Sequence, residues 1–96
     1  MGRGYWVATY RSVSDPEALV KYAGLALPII QAHGGRFLAR GTPVHVYEAV
    51  APQRCVIVEF ESVAAAKAAY ESPAYEKARA MIEGSVEREI LIVEGV

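Results

Sequence analysis

The sequence predicts an α+β fold in which an antiparallel sheet carries its helices on one face. Three observations lead to it. Aromatic and β-branched stretches alternate with helical ones in the order β-α-β-β-α-α-β, the second strand being bent. Glycines and prolines stand between these stretches, where caps and turns need them. The strands are largely apolar on both alternating sets of positions, more than a sheet roofed on one side requires.

The first strand is expected over about residues 4 to 12, because Tyr5-Trp6-Val7-Ala8-Thr9-Tyr10 is aromatic and β-branched. Ser14-Asp15-Pro16-Glu17 then starts a helix. Asp15 or Ser14 caps the free N–H groups, Pro16 suits the first turn, and Glu17 complements the dipole. That helix should run from about 16 to 33, with Leu19, Tyr22, Ala23, Ala26, Ile30 and His33 along one face and a kink at Pro28. Gly34-Gly35 ends it, since glycine takes the positive φ that closes a helix.

Arg36 to Arg40, Gly41-Thr42-Pro43 and Val44 to Glu48 read as one strand broken by a bulge or bend. After the turn at Ala51-Pro52-Gln53, Arg54 to Phe60 is a near-continuous apolar strand suited to the middle of a sheet. Ser62 caps an Ala-rich helix over about 63 to 71, and Ser72-Pro73 restarts a helix that reaches about Ile82 before Gly84. Glu87 to Glu94, centred on Ile90-Leu91-Ile92-Val93, is the last strand. This order is the split β-α-β, ferredoxin-like arrangement.

With 96 residues the chain is read as a single domain over 1–96 with a modest core. Hydrophobic residues make up 53% and charged ones 22%, so apolar surface is left over for another chain to cover. Val, Ile, Leu and Trp side chains on the helix-free face each forgo about 1.5–3 kcal/mol of burial, and a handful outweighs an association cost of roughly 4–15 kcal/mol. The expectation is a two-fold dimer packed sheet against sheet, a dimeric α+β barrel. The competing expectation is a monomer whose second face is half polar.

A net charge of −1 supplies no cationic field for nucleic acid or acidic membranes, so neither is an expected partner. The lone Cys55 excludes an internal disulfide framework. No secretion signal, myristoylation site or apolar run of about 18 residues is present, and a cytoplasmic location is expected.

Taken together, Gly4-Tyr5-Trp6, Asp15-Pro16-Glu17, the run from Gly34 to Gly41, Val58-Glu59-Phe60 followed by Ser62, Ser72-Pro73-Ala74-Tyr75 and Val93 to Val96 resemble the family catalogued as domain of unknown function 1330. The resemblance spans essentially the whole chain and implies a dimeric α+β barrel. That superfamily holds cofactor-independent monooxygenases, chlorite dismutase-like haem proteins and lactone-processing isomerases, so several chemistries are compatible with it. It brings no catalytic residues to carry over. His33 stands where members often have Tyr, and Gly41-Thr42 where Gly-Gly is frequent.

Glu59 is the candidate catalytic residue: a carboxylate on one face with Cys55 and Ile57, costly to bury unless paired or protonated, and so a candidate base or ligand anchor. The alternative is an ion pair to Arg36 or Arg40. Arg36 and Arg40, four apart in a strand, are expected on one side as a clamp for a carboxylate or phosphate, or else as partners of Glu59, Glu48 or Glu61. His45 and Tyr75 complete the candidate ligand-binding set, Tyr75 at the pocket rim. His33, His45 and Cys55 match no chelating spacing, Gly34-Gly35 lacks phosphate-loop spacing, and neither metal nor cofactor is expected.

The leading expectation is a homodimer that binds a small, partly apolar, anionic molecule between sheet and helices, with Arg36, Arg40, Glu59 and His45 as polar candidates. The rivals are a cofactor-independent isomerase or monooxygenase that moves a proton through Glu59 or a histidine, and a structural interaction module.

Overall fold

The computed structural model describes residues 2–48 and 52–96. The elements are β1 (Gly4–Val13), α1 (Pro16–Ala32), β2 (Arg36–Gly41), β3 (Arg54–Phe60), α2 (Val63–Glu71), α3 (Pro73–Ala80) and β4 (Val86–Glu94). They form a ferredoxin-like antiparallel sheet in the order β2-β3-β1-β4 with the helices on one face. The turn at Ala51-Pro52-Gln53 falls partly outside the described residues.

Local chemistry sets the helix ends. The Asp15 carboxylate accepts the Ala18 N–H at 3.2 Å and Pro16 occupies the first turn. The helix continues through Pro28 to Ala32. Ser62 Oγ accepts the Ala65 N–H at 3.0 Å to start α2. Ser72 then serves two helices, donating its hydroxyl to the Ala69 carbonyl at 2.8 Å and accepting the Tyr75 N–H at 3.2 Å.

The two glycines after α1 do different work. Gly34 has φ +84°, which a side chain resists. Gly35 is held by closeness: a Cβ there would lie 2.5 Å from Ile30 Cγ2 and 2.9 Å from the Phe60 ring. Gly35→Ala is therefore expected to lower stability by about 2–3 kcal/mol through overpacking, against about 1 kcal/mol for Gly34→Ala. Urea unfolding of both variants checks the order.

The core lies between helices and sheet. Trp6, Ala8 and Tyr10 of β1 and Val56, Val58 and Phe60 of β3 meet Tyr22, Ala26 and Ile30 of α1, Ala66 and Ala69 of α2, and Tyr75 and Ala78 of α3. Trp6 therefore faces the helices and is buried, not on the open face as expected, because it is in phase with Ala8 and Tyr10 along β1. The open face carries Val7, Ile57 and Leu91 in register across three strands, with Tyr5, Glu59 and Val93 in the next row. Leu91 and Val93 are 49% and 53% exposed.

Two expectations about β2 are corrected. The strand ends at Gly41, and Val44 to Glu48 are exposed outside any strand. Within β2 the register shifts between Phe37 and Ala39, so Arg36 pairs opposite Glu59 on the open face while Arg40 pairs opposite Val56 on the helix face. One extra residue reverses the alternation, and the two arginines cannot form one clamp.

Candidate functional site

A partly open cavity of about 50 Å³ lies between α1 and the sheet, large enough for on the order of three to five waters or a small organic head group. Its apolar wall comes from Trp6, Ala8, Val56 and Val58 on the strands and Leu19, Ala23, Ala26, Leu27 and Ile30 on α1. Its polar lining is Tyr10, Tyr22, Arg40, Arg54 and Arg88.

Strand alternation brings these groups together. Arg54 shares the helix-facing phase of Val56, Val58 and Phe60, and Arg88 that of Ile90 and Ile92. Tyr10 lies between them, paired with Arg54 on one side and Arg88 on the other. Tyr22 reaches down from α1.

Arg88 is half-buried at the inner end. Its Nη1 donates to Tyr10 Oη at 2.9 Å and Tyr22 Oη at 3.0 Å, and its Nη2 donates to Tyr75 Oη at 3.1 Å. The guanidinium carbon also lies 4.9 Å from the Tyr22 ring centre and 5.5 Å from that of Tyr10, so ring faces and phenolic oxygens stabilise the charge together. Tyr22 and Tyr75 share a short hydroxyl–hydroxyl hydrogen bond.

Burial works against the charge on Arg88. The oxygens of Tyr22, Tyr75 and Tyr10 outweigh it, and the affinity of the guanidinium for its proton is raised. Burial also pushes the Tyr75 phenol far up; Tyr22 adds to this and Arg88 offsets only part. Tyr10 is raised by burial too, with Arg88 opposing. The site holds neutral phenols at Tyr10 and Tyr75 around a permanent cation.

Among the described residues no carboxylate is bonded to that cation, although Arg88 also borders a second, open cleft lined in part by Glu76 and Glu83. Among the described residues the ion pairs are Arg11 with Glu89, Arg36 with Glu59 and Arg79 with Glu76, and no acidic side chain lines the cavity. Among the described residues Arg40, Arg54 and Arg88 thus border one cavity without an ion-paired partner. Arg40 is exposed and stacks over Phe37, its guanidinium carbon 5.5 Å from the ring centre.

The remaining sequence candidates lie elsewhere. Glu59 is on the open face, where Tyr5 donates its hydroxyl to Oε2 at 2.9 Å and Arg36 pairs with Oε1 at 3.2 Å. The shared proton raises the Tyr5 phenol. His45 sits in the exposed segment after β2, stacked on Tyr47 with ring centres 6.5 Å apart, and does not line the cavity. Tyr75 is not a rim residue: it is fully buried, edge-on to Trp6 and Tyr22, and reaches the site only through its hydroxyl. His33 caps α1, its Nδ1 3.0 Å from the Ile29 carbonyl. No group of three His, Cys, Asp or Glu side chains is placed to hold a metal among the described residues.

Of the predicted polar set only Arg40 reaches the cavity. Arg54, Arg88, Tyr10 and Tyr22 were missed as a set. The available signal was phase: Arg54 and Arg88 occupy positions of otherwise apolar alternating sets, where a charge facing the core calls for a reason.

Among the described residues no helix is long and apolar enough to cross a membrane. No curated protein matches the sequence. Solved structures similar to this chain include a protein of unknown function from Rhodopseudomonas palustris, at TM-score 0.79 and 18% identity over 99% of this chain and 83% of that one. A Bacteroides fragilis protein described as dimeric, of unknown function and ferredoxin-like fold, matches at 0.64 and 13% over 99% and 98%. A suggested antibiotic biosynthesis monooxygenase from Nitrosomonas europaea matches at 0.60 and 16% over 100% and 93%. At these identities the likeness concerns the fold. Residues 3–96 match the model of the family described as Domain of unknown function (DUF1330), and the chain belongs to that family.

Proposed function

We propose that this protein is a homodimer, one domain per chain, that binds a small, partly apolar organic anion in the cavity between α1 and the sheet. The observation that carries the reading is the convergence of Arg40, Arg54 and Arg88 on one apolar-walled cavity with no acidic side chain in its lining. A half-buried cation without a counter-charge is costly, and a bound anion removes that cost. The apolar wall accommodates a short hydrocarbon tail.

Pairing through the open face is supported by exposed Leu91 and Val93 beside half-buried Val7 and Ile57, and by the Bacteroides fragilis neighbour described as dimeric. Each side chain is covered twice in a two-fold dimer, which offsets the roughly 4–15 kcal/mol lost on association. Sedimentation at low micromolar concentration should give twice the 10.4 kDa chain mass. A single-chain mass removes the dimer.

The binding test is a butyrate titration followed by amide chemical shifts. Shifts should centre on Trp6, Tyr10 and Arg88, and Arg40→Ala and Arg54→Ala should each weaken binding about three- to tenfold. Glu59→Gln, which alters only the opposite face, should leave butyrate affinity unchanged. Loss of binding in Glu59→Gln would move the site to the open face and overturn the assignment.

A further inference from the structure

Each phenol at the inner end of the cavity accepts from Arg88 and still owns one O–H proton. One of the three protons is used between Tyr22 and Tyr75. Tyr75 is 0% exposed and does not line the cavity, so a proton of its own without an acceptor would be a buried donor left unsatisfied. Tyr75 therefore donates to Tyr22. That leaves the hydroxyls of Tyr22 and Tyr10, both lining the cavity, with no acceptor among the described residues. Arg40 and Arg54 are donors only. No Asp, Glu, Asn, Gln, Ser, Thr or His side chain shares the lining; Tyr22 Oη already accepts from Arg88 and Tyr75, while Tyr10 Oη accepts from Arg88 alone.

We infer that the inner end is a receptor with two unpaired O–H donors whose ligand group is an acceptor-only oxyanion such as a carboxylate, touched directly by the hydroxyls of Tyr10 and Tyr22. Tyr75 acts behind them as a positioning residue that fixes which way the Tyr22 proton points. The inference rests on the anion-binding reading and adds that the head group is selected by hydrogen-bond polarity as well as by charge. The two oxygens of a carboxylate or nitro group accept from both hydroxyls, whereas an amide has one such oxygen and leaves the other hydroxyl's proton unpaired against its NH2.

Three probes with the same propyl tail separate the two claims. Butyrate is charged and acceptor-only, 1-nitropropane neutral and acceptor-only, and butanamide neutral with a donor. In the native protein the affinities should fall in that order, with 1-nitropropane ahead of butanamide by about fivefold. In Tyr10→Phe and Tyr22→Phe that ratio should shrink to about twofold or less. Tyr10→Phe keeps the test available should Tyr22→Phe fail to fold, because the Tyr10 hydroxyl has a single hydrogen bond, from Arg88. If butyrate does not bind, the anion-binding reading and the inference fall together. If butyrate binds but the nitropropane-to-butanamide ratio is the same in Tyr10→Phe as in the native protein, the preference reflects transfer from water alone. The two-donor receptor is then overturned while the anion-binding reading stands.

Discussion

Arg88→Met should lower butyrate affinity by about 10- to 100-fold while leaving the protein folded. The loss, roughly 1.5–3 kcal/mol, reflects removal of the cation's field and of the bonds that orient the Tyr10 and Tyr22 hydroxyls. Stability should change by no more than about 1–2 kcal/mol, because replacing a half-buried cation by an apolar chain of similar length removes its desolvation cost together with its bonds. The Tyr22–Tyr75 hydrogen bond does not depend on Arg88 and persists. Arg88→Lys should recover only part of the affinity, since one ammonium cannot reproduce a fork that donates to three oxygens. In the native protein butyrate affinity should be flat between about pH 6 and 9. Tyr10 and Tyr75 are raised above the ordinary phenol value near 10, Arg88 is raised above the arginine value, and butyrate stays ionised throughout. A midpoint inside that window would show that a titrating group, absent from this cavity, controls binding. Isothermal titration at several pH values reads both results.

Ile57→Glu should convert the proposed dimer into monomers at micromolar concentration. Ile57 sits on the open face between Val7 and Ala39, near the centre of the apolar row, and a two-fold axis places the new carboxylate in the interface twice. Burying two unpaired carboxylates costs several kcal/mol, so the dissociation constant should rise by about 1000-fold or more. In the separated chain the same position is half-exposed, and the glutamate stays solvated without disturbing the helix-side core. Sedimentation of native and variant protein at matched concentrations reads the change. A variant that remains dimeric at low micromolar concentration places the contact on another surface. Arg11 with Glu89, both exposed at one end of the same face, contributes little to either species.

Much of the architecture was legible because it depends on local rules. Asp15 with Pro16, Ser62, and Ser72 with Pro73 cap helices by bonds that span three residues. Gly34 and Gly35 marked the end of α1 for the same reason. The bend in β2 was anticipated, yet it was assigned to Gly41-Thr42-Pro43, and the register shift falls instead between Phe37 and Ala39, where no glycine or proline announces it. A bulge of that kind depends on how the partner strand packs, which leaves no local trace.

The candidate site was less legible, and the cause can be located residue by residue. Arg36 and Arg40 were placed on one side by period-2 counting, and a single extra residue sent them to opposite faces. Glu59 was read as a carboxylate that needs a partner or a proton, and as a candidate base or ligand anchor. Its partners, Arg36 and Tyr5, come from neighbouring strands 23 and 54 positions away in sequence, and they hold it on the face away from the cavity. Tyr75 looked like a rim residue from its place beside the Ser72-Pro73 cap, and the packing of α3 against Trp6 and Tyr22 put it inside.

The sequence by itself determined the elements apart from the extent of β2, their order, the face of α1 that meets the sheet and the excess of apolar strand surface, because helix caps and hydrophobic periodicity act over a few residues. Only the tertiary structure decided that Arg54, Arg88, Tyr10 and Tyr22 share one cavity and that Glu59 and Arg36 do not. Convergence of side chains from β1, α1, β3 and β4 depends on strand order and register, which arise from long-range pairing and leave no spacing to read along the chain.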